Sequence, residues 1–126
     1  MKKYTYIGAY EIFNACIHVN LSMSKGDSYG QYGRTPNGFI TIILADSPEW
    51  SKMVKNAVHE ITEMAFLMKD CRFMPSEHMV EGNDDATMFI CRHYELSYIT
   101  DAVGGMLEKL LPDLEKVWKK LHKKNR

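Results

Sequence analysis

This 126-residue sequence has no net charge and no long apolar run. Its 16 basic and 16 acidic residues cancel, whereas a general nucleic-acid binder usually carries a basic excess, so a nucleic-acid partner is not expected. No stretch approaches the roughly 20 apolar residues that a membrane-spanning helix needs, so a membrane partner is not expected either. The basic N-terminus lacks the apolar run of a signal peptide, and we therefore expect a cytoplasmic protein.

Cysteine is scarce as well, and several catalytic signatures are missing. Three widely spaced cysteines do not form the even set that a secreted disulfide framework requires. Two of them, Cys16 and Cys91, lie in apolar runs and are expected to pack as small hydrophobic side chains. The sequence contains no Gly-x-Gly-x-x-Gly or P-loop pattern and no Gly-x-Ser-x-Gly elbow, which argues against common nucleotide-binding and serine-hydrolase sites.

The composition that is present indicates one globular domain spanning residues 1–126. Hydrophobic residues make up 45% of the chain and charged residues 25%, so the chain has enough apolar surface to bury a core. A length of 126 residues leaves little room for a second domain.

The N-terminal third predicts strands. Residues 5–23 are rich in apolar and β-branched side chains, although a helix over residues 10–16 is an alternative interpretation. Residues 24–33 are rich in glycine and polar side chains and predict a loop. Asn37-Gly38 is a turn signal, and it precedes residues 39–45, the strongest strand pattern in the chain.

A long amphipathic helix is predicted next, ending at about Met68 or Lys69. Its start has two interpretations: Asp46 and Glu49 form a capping box, or Ser47 is the N-cap. Apolar residues recur at intervals of three and four and form one stripe that should face the core. The stripe consists of Trp50, Met53, Val54, Ala57, Val58, Ile61, Met64, Ala65 and Met68.

The last third of the chain is predicted to be helical. Helical periodicity runs over residues 96–111 and resumes over residues 114–121. Pro112 lies between these segments and lacks a backbone donor, so a break or kink is expected there. Residues 88–91 either begin the helix or form a short extended piece before it. The fold class is therefore α+β, with a small antiparallel or mixed sheet, a long amphipathic helix and C-terminal helices.

The central helix carries the residues that indicate chemistry. At about 100° per residue, His59 and Glu63 project to the same side, roughly opposite the apolar stripe and near Phe66. Side chains at this spacing can ligate one metal ion, as in His-Glu-x-x-His zinc helices. Glu60 projects to a neighbouring direction, where such helices carry the carboxylate that deprotonates metal-bound water. An ordinary exposed ion pair between His59 and Glu63 is the alternative interpretation.

A third ligand is needed for a metal site, and His93 is the best candidate. It stands just ahead of the C-terminal helical segment, where a packed or partner-binding histidine is the alternative. The second choice is His78, in a segment predicted to be a connector.

Residues 29–111 resemble the zincin metallopeptidases, and in particular the small zincin-like proteins of bacteriophages and mobile elements. The resemblance rests on residues 32–44, on the His-Glu motif at residues 59–63 and on residues 89–93. At position 63 the sequence has glutamate where the familiar zinc motif has histidine.

The resemblance implies a zincin-like fold that binds zinc or another divalent transition metal through His59, Glu63 and His93. It also implies that Glu60 is the general base of a metal-dependent hydrolase or peptidase. Carboxylate oxygen can replace imidazole as a ligand, but its negative charge makes the metal a poorer Lewis acid. Metal binding is therefore expected more strongly than peptidase activity.

Two other interpretations concern partners. The same fold could be a non-enzymatic binding protein for a protein, peptide or small-ligand partner, such as a phage host-interaction or anti-defence factor. Nine methionines and seven tyrosines suit an adaptable interface of this kind. The other interpretation is a homo-oligomer formed through the C-terminal helix, because the apolar residues of this helix exceed what one small domain can cover.

Overall fold

The computed structural model describes residues 4–23, 31–34, 40–73 and 88–123. The elements in chain order are β1 (Tyr4–Ile12), β2 (Ala15–Ser22), β3 (Gln31–Arg34), β4 (Ile40–Ala45), α1 (Trp50–Met68), β5 (Arg72–Phe73), β6 (Met88–Phe89) and α2 (His93–Leu121). This order confirms the predicted α+β class. His78, the second choice of third ligand, lies outside the described residues.

Four strands form a mixed sheet in the order β1-β2-β4-β3. β2 pairs antiparallel with β1 and parallel with β4, and β3 pairs antiparallel with β4. β1 and β2 are joined at Phe13 and Asn14, whose φ angles of 51° and 64° are the left-handed values that a two-residue hairpin turn requires. The alternative helix over residues 10–16 is therefore wrong, because these residues belong to a hairpin. β5 and β6 form a separate antiparallel pair.

The core lies between one face of the sheet and the two helices. α1 packs against β4 and α2, and α2 also packs against β1. Alternate residues of β2 and β4 point into this core and are fully buried, as the period of two in a half-buried sheet requires. The main buried side chains of the strands and helices are Ile17, Val19, Leu21, Ile42, Leu44, Met53, Ala57, Ile61, Met64, Ile99, Met106, Leu110 and Leu114.

The bounds of α1 agree with the prediction, but its start does not use the predicted capping box. Glu49 is the N-cap residue, and its N–H donates to Ser47 Oγ at 3.2 Å. Asp46 instead contacts His122 across the fold. At the other end, Asp70 adopts a left-handed φ of 57°, while the Cys71 N–H donates to the carbonyl of Phe66 at 2.8 Å. This Schellman-type end explains why the helix stops where its apolar stripe stops.

Two side chains of α1 do not lie on the face of the helix that the sequence pattern predicted for them. Val58 was expected in the core, yet it is 39% exposed because it lies off the line of Met53, Ala57 and Met64. Phe66 was expected on the polar side, yet it is buried. The reason is the strand pair β5–β6, since the Phe89 ring packs edge-on against Phe66 at 5.1 Å between centroids.

Of the break or kink expected at Pro112, the break is wrong, because α2 is one continuous helix of 29 residues. Proline removes one backbone bond, but Leu110 and Leu114 on either side of it are fully buried, and this burial stabilises the helix on both sides of the proline. Residues Met88 and Phe89 are extended, which decides between the two interpretations of this segment. Within the described parts of the chain, neither helix is long and apolar enough to cross a membrane.

The three cysteines occupy different environments. Cys91 packs against the core as expected, and Cys71 is buried. Cys16 is exposed, contrary to the expectation. It belongs to the outward series of β2, because its neighbour Ile17 takes the inward position.

Candidate metal centre

The helical period of α1 brings three donor side chains together near its middle. His59 Nε2 lies 2.9 Å from Glu63 Oε2, one turn further along the helix. The same nitrogen lies 3.9 Å from Glu60 Oε1. One donor atom from each of these residues lies within 4.8 Å of the other two. His59 and Glu63 therefore lie on the same side of α1, as their spacing predicts, and Glu60 lies beside them.

The three side chains differ in their access to solvent. His59 is 66% exposed, Glu63 is 20% exposed and Glu60 is buried. The group therefore lies at the boundary of the core, with its imidazole outermost. A metal ion could reach it from solvent, while the two carboxylates sit where water screens their charge less strongly.

Glu60 is the unexpected member of the group. In the part of the chain that the structure describes, it is the one charged residue that is buried, with 5% of its surface exposed. Burying a carboxylate is costly unless other groups compensate its charge, and His59 is one of its partners. The sequence does contain a signal for this burial, because Glu60 is in phase with Ala57 and Met64 on the helix.

The chemistry of the group favours a cation. Two carboxylates and a neutral imidazole offer two negative charges and three donor atoms from a single helix. Nitrogen and oxygen ligands of this kind bind zinc and other divalent transition metals. Binding requires that His59 Nε2 carry no proton, so its present contact with Glu63 would be exchanged for a bond to the metal. In the absence of metal, the contact is an ordinary helical ion pair when His59 is protonated.

His93, the predicted third protein ligand, does not belong to this group of donor atoms. It is the first residue of α2 and its side chain is exposed. Among the described residues, the donor atoms that gather around His59 come from α1 alone. The N-terminus of α2 is held by Arg92, whose N–H donates to Glu95 Oε1 at 3.0 Å. The structure thus brings together His59, Glu60 and Glu63 and does not add His93 to them.

A groove of about 540 Å³ adjoins the donor group. The side chains that line it are Val54, Lys55, Val58, His59, Thr62, Glu63, Phe66 and Phe89. Val58 and Phe89 are exposed here, so the groove offers apolar surface directly beside His59 and Glu63. Sites for small ligands commonly combine a mainly apolar lining with a few polar groups in this way.

No protein-family model, curated protein or solved structure matches this chain significantly.

Proposed function

We propose that this protein binds zinc or another divalent transition metal through His59, Glu60 and Glu63 of α1. The observation that carries the proposal is the convergence of one imidazole nitrogen and two carboxylate oxygens within 4.8 Å. His93 stays a predicted further ligand. The remaining coordination positions would be available to water or to a bound molecule.

The zincin-like relationship is part of the same proposal. Its support is the position of the His-Glu motif on α1, which follows the sheet and precedes α2. A metal held by two carboxylates is a weaker Lewis acid than one held by three histidines. We therefore propose metal binding as the primary property. Hydrolysis, with Glu60 as general base, is the secondary proposal and requires that Glu60 not be a ligand.

The experiment is calorimetric titration of the metal-free chain with zinc. His59→Ala and Glu63→Ala should each lower the affinity more than about 100-fold, because outer-shell changes alone cost about 10–100-fold. The matched controls are His122→Ala and Glu108→Ala, which remove the same side-chain types outside the donor group. Unchanged affinity in both α1 variants would refute the site, and a loss in His93→Ala would confirm His93 as a further ligand.

The groove supports a second candidate function, a non-enzymatic binding protein. Its apolar lining beside α1 suits the apolar side chains of a peptide segment, and Lys55 in the same lining could make a polar contact with it. Phe89→Ala removes an exposed ring of this lining while leaving the donor group intact. The probe is a peptide selected for binding to the unmutated chain. If this peptide no longer binds the Phe89→Ala variant but still binds the His59→Ala variant, the groove binds without metal and the second function is supported.

A further inference from the structure

The solvent-facing side of the sheet carries a second cluster of chemically active side chains, remote in sequence from α1. In β2, Ile17 and Val19 point into the core, so Cys16 and His18 point to the other side. Tyr6 of the neighbouring strand β1 reaches the same place. We call Cys16, His18 and Tyr6 the sheet-face triad.

The geometry of the sheet-face triad is that of a thiol, a base and a group that orients the base. Cys16 Sγ lies 3.9 Å from His18 Nε2. The other ring nitrogen, His18 Nδ1, lies 2.9 Å from Tyr6 Oη, and the two rings are 5.9 Å apart between centroids. When Nδ1–H donates to the Tyr6 oxygen, Nε2 is left as an acceptor that faces the thiol. Nucleophilic cysteines are activated by an imidazole in this relation.

We propose that Cys16 is a covalent modification site that undergoes thiol–disulfide exchange with neutral low-molecular-weight disulfides. His18 Nε2 takes the proton from Sγ, and the thiolate attacks one sulfur of the disulfide R–S–S–R. The S–S bond breaks, the new bond joins Cys16 to one S–R group, and the leaving R–S⁻ takes the proton back from His18. Cys16 is oxidised to a mixed disulfide and the reagent is reduced to one thiol, so the disulfide itself is the oxidant. Tyr6 is a positioning residue.

The charges around the sheet-face triad define the class of reagent. Glu11 of β1 is the cross-strand partner of Cys16 and is exposed. Its carboxylate opposes an approaching anion at short range. On the other side, the β4 partner of His18 is Thr41, which carries no charge. A neutral disulfide is therefore preferred over an anionic one.

The other two cysteines provide an internal comparison. Cys71 is buried, and burial followed by the carboxylate of Glu95 raises the pKa of its thiol. Cys91 is half-buried and packs against the core. Neither therefore shares both the exposure and the histidine contact described for Cys16.

The experiment treats the reduced full-length chain with dithiodipyridine, a neutral disulfide, at neutral pH and with chelator present. Release of thiopyridone gives the rate, and peptide mapping assigns it to a cysteine. We expect Cys16 to react first, at least about ten-fold faster than Cys91. His18→Gln should slow Cys16 by about ten-fold at neutral pH, and the two rates should converge in alkaline solution, where the thiol ionises without a base.

Further variants test whether Tyr6 orients the His18 imidazole and whether Glu11 disfavours anionic disulfides. Tyr6→Phe should slow the reaction several-fold, whereas the matched control Tyr4→Phe, an exposed tyrosine on the same strand, should not. Glu11→Gln should accelerate the reaction with an anionic disulfide more than the reaction with dithiodipyridine. The proposal is overturned if Cys91 reacts as fast as Cys16 in the unmutated chain. It is also overturned if folded His18→Gln reacts at the parental rate at neutral pH.

Discussion

Charged substitutions at Val58 and Ile61 should have very different effects, although both residues belong to the apolar stripe of α1. Ile61 is 0% exposed. Ile61→Asp loses about 2–3 kcal/mol of apolar burial and adds several kcal/mol for an uncompensated buried charge. The sum is comparable to the whole free energy of unfolding of a small domain, about 5–15 kcal/mol, so this variant should be unfolded.

Val58→Asp should fold. Val58 is already 39% exposed, so its aspartate would remain solvated and the loss would be about 1 kcal/mol. Urea denaturation followed by far-UV circular dichroism measures both variants, and thermal melting should place Val58→Asp within several degrees of the parent. Similar cooperative transitions in the two variants would refute the helix phase. The burial of Glu60 would then be in doubt as well, because it depends on the same phase.

Three further predictions follow from contacts in the core and at the site. Burial, and then the hydrogen bond that Tyr10 donates to Asp113 at 2.6 Å, raises the pKa of the Tyr10 phenol in the folded state. The unfolded state therefore loses this proton at a lower pH than the folded state does. The free energy of unfolding should consequently fall above about pH 10. Urea titrations across that range should show a smaller alkaline loss in Tyr10→Phe, and an equal loss would contradict this. His122 Nε2 contacts both Asp46 carboxylate oxygens, at 2.9 and 3.0 Å. His122→Ala should therefore lower the free energy of unfolding in urea by about 1–3 kcal/mol, while the zinc affinity stays unchanged. A free energy of unfolding equal to the parent's would count against the contact. Glu60→Gln should weaken zinc binding in calorimetry if Glu60 is a ligand, whereas retained zinc with lost turnover would identify it as a general base.

Local signals in the sequence were sufficient for the fold class and for the bounds of α1. The apolar stripe ends where the helix ends, and the strand pattern of residues 39–45 corresponds to β4 at Ile40–Ala45. The hairpin turn was harder to predict from the sequence. It bends at Phe13 and Asn14, both with a left-handed backbone, and of these two residue types only asparagine commonly adopts that conformation. The expectation for Cys16 rested on the apolar composition of its segment, whereas the alternation of that segment places Cys16 in phase with the polar residues His18 and Asn20, on the outward face.

Tertiary packing decided the features that the sequence pattern missed. Pro112 does not interrupt α2, because the buried leucines on both sides outweigh one missing backbone bond. Phe66 is buried by β5–β6, a strand pair that brings together residues distant in the chain. At the site, the spacing of His59 and Glu63 was sufficient to predict their contact, since both lie on one helix. The position of His93 depends on how α2 begins, which no local pattern specifies.

The most direct test of metal binding is a nitrogen-15 NMR titration that follows the imidazole nitrogens of all five histidines as zinc is added. Imidazole nitrogens shift strongly when they bind a metal, so each histidine reports for itself. We expect the Nε2 resonance of His59 to shift and saturate at one zinc per chain, while the resonances of His18 and His122 stay in place. A shift of His93 in parallel would identify it as a further ligand. Saturation with no change at His59 would contradict a metal site on α1.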